Sequence, residues 1–420
     1  MLQISLFPNK SEFEGLCQRP SLDSNSLELT IKNIFDSVAF NKDKALIEFT
    51  KQFENREISE VLYTAEDINE GARLITNELK IAIKKAYDNI FKFHKGQQLE
   101  IKKIETSPGV ICWQKSVAIE KVGIYIPGGT APLFSTILML AIPAQIAGCK
   151  EIILSTPANH PAIFYAAQLC GVTKMTKIGG AQAIAAMSLG TESIPKVHKL
   201  FGPGNQYVTA AKMYANKMGI AIDMPAGPSE VAVFADETCN PAFVASDLLS
   251  QAEHGADSQV ILLTTNEEIV TKVISELEKQ VELLDRKEFA KKSLQHSKAI
   301  ILKDKIEVIT FLNEYAAEHL ILACAEPEKF SEHIINAGSI FLGNYTPESA
   351  GDYASGTNHT LPTNGFAKAY SGVNLDSFVK KITLQAISKE GLQNLGETII
   401  TMANAESLQA HANAVSIRLK

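Results

Sequence analysis

The chain has 420 residues, 45% hydrophobic and 21% charged, with a formal net charge of -7, which fits a folded protein of about two or three domains and excludes a disordered or fibrous one. An acidic balance without clustered Lys and Arg offers no footprint for nucleic acid or an anionic membrane surface, so the expected ligand is a small molecule. Six cysteines, Cys17, Cys112, Cys149, Cys170, Cys239 and Cys324, contain no C-x-x-C pair; this argues against a zinc ribbon or a thioredoxin-like site and suits a reducing compartment.

In chain order, the first stretch, "MLQISLFPNKSEFEG", lacks the basic start and long apolar run of a secretory signal, and a cytoplasmic protein is expected. From about Ser21 to Gly96 the pattern is helical, with "ELKIAIKKAYDNIFKFH" placing an apolar stripe opposite charges. From about Ala118 to Ala235 short apolar strands alternate with helices: "VGIYIP", helix 133–147, "EIILST", helix 160–170, "MTKIG", helix 181–189, "KLFG", and a helix from Asn205. Such alternation predicts parallel βαβ units in a doubly wound sheet. Within it, residues 125 to 149 are apolar enough to suggest a membrane span, but Pro127, Pro132, Pro143 and Gly128-Gly129 interrupt them, so a glycine turn followed by a buried helix is expected. A second α/β set follows in "SEVAVFAD", "QVILLTT", "AIILKD", "HLILACAE" and "GSIFLGN". The last ~45 residues have no obvious strands and read as an extension.

Candidate chemistry falls along this framework. Three glycine turns follow strands, at Gly128-Gly129, Gly179-Gly180 and Gly202 to Asn205, where a phosphate-bearing ligand could approach N–H groups at a helix start. None is a full G-x-G-x-x-G, so on motif alone a dinucleotide competes with plain turn chemistry. Gln251 and His254, three apart at the end of a helical pattern, share a face; alone they fit a polar helix end as well as a ligand pair. Glu318 and His319 lie at a helix-to-strand junction, a suitable pair of general bases. The segment 344–365, "NYTPESAGDYASGTNHTLPTNG", reads as a long functional loop carrying Asp352 and His359, and the tail adds Glu406 and His411. His94, His160, His198, His296 and His333 are expected to be ordinary surface or capped core residues.

The ordered blocks "YIPGGTAPLFSTILMLAIPAQIAGC", "GPGN", "GPSEVAVFAD", "FVASDLLSQAEHGADSQVILLTT", "EHL", "GDYASGTNHTLPT" and "HANAVSIR" resemble the histidinol dehydrogenase family over roughly residues 118 to 418. The resemblance implies two incomplete Rossmann-like domains, parallel sheets flanked by helices, with N- and C-terminal extensions. It places an arm at 1–20, a larger discontinuous domain at 21–126 and 230–375, an inserted smaller domain at 127–229, and a tail at 376–420 that reaches the partner subunit of a homodimer. It further implies zinc held by Gln251, His254, Asp352 and His411, and the bases Glu318 and His319. The substrate pocket would be lined by Ser229, Gln251, His254, His319, Asp352, His359, Glu406 and His411, and NAD contacted by Tyr125, Gln182 and Asn205. The implied reaction is the four-electron oxidation of L-histidinol to L-histidine through the aldehyde.

Other readings differ in what they require. A covalent thiohemiacetal route would need a thiolate from Cys149 or Cys112, although burial as a small hydrophobe explains Cys149. A zinc hydrolase or deaminase would need H-E-x-x-H, or H-x-E with P-C-x-x-C, neither of which occurs, and a non-catalytic binding protein would not need Glu318 beside His319. Where the family usually has Glu-Gly-Leu near the C-terminus this chain has Glu406-Ser407-Leu408, so the backbone at Ser407 is expected to avoid conformations that only glycine favours.

Overall fold

The computed structural model describes residues 2–20, 25–129, 131–225 and 227–420; the expected start of the helical segment at Ser21 lies outside them. The strands are β1 (Gln3–Leu6), β2 (Ile104–Ser107), β3 (Val110–Ala118), β4 (Lys121–Tyr125), β5 (Glu151–Ser155), β6 (Lys174–Thr176), β7 (Lys199–Phe201), β8 (Ala221–Ile222), β9 (Glu230–Ala235), β10 (Gln259–Thr264), β11 (Lys298–Ile301), β12 (His319–Ala323), β13 (Ser339–Leu342) and β14 (Val379–Ile387). They form two parallel sheets flanked by helices, ordered β6-β5-β4-β7-β8 and β1-β11-β10-β9-β12-β13, and one antiparallel sheet, β14-β3-β2. With β1 set aside, both parallel sheets run third-second-first-fourth-fifth in chain order. Each therefore has one reversal of winding, between β4 and β7 in the smaller sheet and between β9 and β12 in the larger.

The strands of the parallel sheets are apolar runs because helices cover both faces. All six residues of β9 and all six of β10 are buried. Each fully buried Val, Leu or Phe there contributes roughly 1.5–3 kcal/mol. The suspect apolar segment is the helix Phe134–Ala147, with every residue from Ser135 to Ala144 buried against the smaller sheet. At about 1.5 Å per residue it spans about 21 Å, short of a bilayer core. No helix among the described residues is long and apolar enough to cross a membrane.

Three features depart from expectation. The N-terminal arm carries β1, which pairs in parallel with β11 at the edge of the larger sheet. The tail carries the nine-residue β14, paired antiparallel along all of β3. Both strands are mostly exposed and show no buried face of their own, so their partners, and not their own pattern, decide them. After β14 the helices Lys389–Ala405 and Gln409–Leu419 pack chiefly on each other. Between them Ser407 has φ 60, and the Leu408 N–H reaches back to Ala403 O at 2.8 Å. This is the left-handed helix terminus that glycine normally fills, and serine occupies it at a cost of about 1–2 kcal/mol. The expectation that the backbone at Ser407 would avoid glycine-favoured conformations is therefore overturned: the turn stays left-handed, closed also by Ser407 N donating to Asn404 O at 3.0 Å.

Candidate active site

The helix Pro241–Ala252 starts on Asn240, whose side chain accepts from Ala242 N at 3.0 Å, and buries Val244, Ala245, Leu248 and Leu249 against the larger sheet. Its last turn carries Gln251, fully buried, at the edge where β9 and β12 begin. A buried amide must be satisfied on both sides. Gln251 meets that requirement when its amide is turned so that Nε2 faces Glu348 and Oε1 faces Glu230 N at 3.2 Å, an N–H that also donates to Glu318 at 2.9 Å.

Glu318 and His319 enter from the other side of β9. The helix Lys305–Tyr315 ends at Ala316, a buried non-glycine residue in the left-handed region at φ 52, and two residues later comes Glu318. Strain of this kind persists only where surrounding contacts impose it. Here Gly338 packs so closely that a Cβ on it would lie 2.5 Å from Glu318 O. Glu318 Oε2 accepts from Glu230 N at 2.9 Å, and His319 Nδ1 lies 3.3 Å from Glu230 O, so the first peptide groups of β9 hold both side chains. The side chain of Glu230 points away and is gripped by Arg19 at 2.7 Å, with the guanidinium stacked 3.7 Å from the Tyr315 ring centre.

Around the imidazole the carboxylates close in. His319 Nδ1 is 3.6 Å from Glu318 and 3.8 Å from Glu348, and its Nε2 is 3.5 Å from Asp352 but makes no well-formed hydrogen bond. Burial would push the imidazole toward neutrality, but Glu318, Glu348 and Asp352 outweigh it and raise its pKa well above the usual value. Burial, with Asp352 and Glu318 nearby and His319 opposing, lifts the Glu348 carboxyl to about 8. Burial works against the Asp352 carboxylate, yet His319, His359 and His254 hold its pKa below normal. Three carboxylates thus share one imidazole in a largely buried space.

Of the other expected residues, His254 lies just beyond the helix and is exposed. Its pKa is lowered by the protein crowding it, against the pull of Asp352 and Glu318. Ser229 precedes β9 and accepts from Gln259 N through its carbonyl at 3.1 Å. His359 bridges the two halves of the molecule, with Nδ1 2.8 Å from Asp352 O and Nε2 2.9 Å from Thr136 Oγ1 on the helix after β4. Glu406 and His411 are exposed on the tail and are not brought into this cluster by their own chain.

At the glycine turns of the smaller sheet, Tyr125 is buried with its hydroxyl accepting from Gly180 N at 3.0 Å, and Gln182 donates to Glu54 at 3.4 Å. Asn205 caps the next helix, accepting from Tyr207 N and Val208 N at 3.1 and 3.2 Å. Gly202, at φ 122, packs where a Cβ would meet Tyr125 O at 2.0 Å, so these turns converge. Contrary to expectation, the N–H groups at two of them are not free for a phosphate: Gly179 N donates to Glu54 at 3.0 Å and Gly202 N to Asp223 at 2.8 Å. The carboxylates came from positions too distant in sequence to be foreseen.

Cysteine chemistry finds no support. Burial pushes the Cys149 thiol up to about 12, and Cys112 lies on β3 opposite Gln385. A thiolate at Cys149 is therefore scarce at neutral pH. Cys149→Ala should keep turnover within about threefold of the parent, since only small-residue packing is lost; loss of steady-state activity in a folded variant would restore the covalent route.

The residues missed by sequence reasoning are Glu348, Glu230 and Arg19. Only Glu348 had a signal, because the spacing Glu348 to Asp352 puts both on one face if the segment is helical. The segment 344–365 is not wholly loop: Glu348–Tyr353 is a short helix.

A sequence model of the family described as histidinol dehydrogenase matches residues 17–419. The chain is 55% identical to "Histidinol dehydrogenase" of Bacteroides thetaiotaomicron over 100% of this chain and 99% of that protein. It is 50% identical to "Histidinol dehydrogenase, chloroplastic" of Arabidopsis thaliana over 98% of this chain and 90% of that protein. Its fold matches the crystal structure of histidinol dehydrogenase from Elizabethkingia anophelis with a TM-score of 0.97 and 53% identity, covering 100% of this chain and 98% of the other.

Proposed function

The chain belongs to the histidinol dehydrogenase family, and we propose that it is a zinc-containing enzyme that uses NAD to oxidise L-histidinol to L-histidine through L-histidinaldehyde, in the last steps of histidine biosynthesis. The observation that carries the reading is the buried pair Glu318 and His319, with Asp352 3.5 Å from His319 Nε2 and Gln251 beside Glu348.

The donor set fits a divalent cation. Three carboxylates around one imidazole leave excess negative charge in a buried space, and an amide oxygen, an imidazole and a carboxylate are acceptable zinc ligands. Gln251, His254 and Asp352 would hold zinc from one chain, and His411 from another. Zinc there would orient the substrate and offset part of the negative charge around His319. Tyr125, Gln182 and Asn205 would hold NAD, and two NAD molecules bound in succession would each take up one hydride.

The chain's own groups move the protons. His319 donates through Nδ1 toward Glu230 O, which leaves Nε2 as the atom to take the hydroxyl proton of the alcohol. Glu318, held by Glu230 N, deprotonates the water that hydrates the aldehyde, and His319 serves again in the second oxidation. Ser229 and His359 border the substrate, and Glu406 accepts from its cationic amine.

A cytoplasmic homodimer with shared sites completes the reading. Its support is the tail, which exposes Ile382, Ile387, Met402, Leu408 and Ile417 together with Glu406 and His411. Such apolar exposure on an arm suits a partner surface. Purified protein given L-histidinol and NAD should form NADH and histidine, lose that activity on metal stripping, and recover it with zinc. Absence of histidinol-dependent NADH from the zinc-loaded protein would refute the assignment.

A further inference from the structure

Glu348 is the most deeply buried acid of the cluster, at 1% exposure, and no role has yet been given to it. Its carboxyl lies against the Gln251 amide, which can donate to it when the NH2 end faces it, accepts from Ser250 Oγ at 3.2 Å, and lies 3.8 Å from His319 Nδ1. It stands on the same short helix as Asp352, four residues earlier. An amide has one end that donates and one that accepts, and the two ends are nearly equal in shape. Only the oxygen end is useful to a cation. With a cation bound beside it Glu348 would be ionised, and an ionised carboxylate only accepts, so it would face the NH2 end of Gln251. The Glu230 N–H, shared with Glu318 at 2.9 Å, lies 3.2 Å from the Gln251 oxygen in that same orientation, and the oxygen has a second lone pair available beside that contact.

We propose that Glu348 is a positioning residue that locks the Gln251 amide with its oxygen, and not its nitrogen, toward the metal. The proposal rests on the zinc reading of Gln251, His254 and Asp352. Partners that orient a ligand from behind typically change metal affinity by about 10–100-fold when they are removed. Glutamine at 348 has the same size but presents either end to Gln251, so the orientation is no longer imposed.

The test is zinc affinity of the metal-stripped, full-length protein, measured against a competing chelator. Glu348→Gln should bind zinc about 10–100-fold more weakly while remaining folded. The exchanged pair Gln251→Glu with Glu348→Gln should recover most of that loss, because the amide at 348 now donates to a carboxylate at 251 that offers oxygen to the metal. A role confined to packing or to Ser250 would give no such rescue. If Glu348→Gln does not fold, the comparison is Gln251→Glu alone against the exchanged pair, where adding Glu348→Gln must tighten zinc. Asp352→Ala serves as the reference. Wild-type affinity in Glu348→Gln, with weakened binding in Asp352→Ala, overturns the positioning role alone. Unchanged affinity in both overturns the zinc site and the proposal with it.

Discussion

Replacing Glu318 by Gln is expected to slow oxidation of the aldehyde by about 10²–10⁴-fold, while oxidation of the alcohol to the aldehyde is affected less. At about 1.36 kcal/mol per decade this is roughly 2.7–5.4 kcal/mol of lost barrier reduction. The substitution suits the site because an amide oxygen can still accept from Glu230 N, now 2.9 Å from Glu318 Oε2, so the start of β9 stays anchored. What disappears is the ability to remove a proton from water. Single-turnover measurements starting from L-histidinol and separately from L-histidinaldehyde resolve the two steps. His319→Ala should impair both, since the same imidazole serves each oxidation. A Glu318→Gln enzyme that forms histidine at the parent rate would remove Glu318 from the mechanism.

Complementation between two inactive chains is the second expected result. Within one chain Glu406 and His411 stand exposed on the tail, apart from the cluster around His319. If the tail completes its partner's site, His319→Ala and His411→Ala are each inactive, but a mixed dimer combines an intact core with an intact tail in one of its two sites. Random pairing after joint unfolding and refolding makes about half of the dimers mixed, so about a quarter of the parent activity should return. A tail that served its own chain would leave one defect in every site, and mixing would restore nothing.

Much of this architecture was legible beforehand, for a physical reason. Strands buried on both faces must be apolar throughout, as in β9 and β10, and the helices between them must carry an apolar stripe, so both parallel sheets announce themselves in the sequence. The edge strands β1 and β14 did not, because mostly exposed strands carry little burial pattern and pairing with β11 and β3 supplies what their own residues do not.

The candidate site divides in the same way. Residue type and spacing, read together with the family resemblance, single out Gln251 with His254, and Glu318 with His319, as candidate pairs. Tertiary structure alone decided that they meet at the beginnings of β9 and β12, whereas ligands of open parallel sheets are expected at the opposite, C-terminal ends. It also decided that the Glu230 peptide groups hold both bases, that Arg19 anchors Glu230 from 211 residues away, and that Glu54 and Asp223 fill glycine turns that looked open. Local sequence carries which groups are available and the period on which they are displayed. Which buried polar atoms become partners depends on segments distant in the chain, brought together by burial of the apolar faces and then required to satisfy one another.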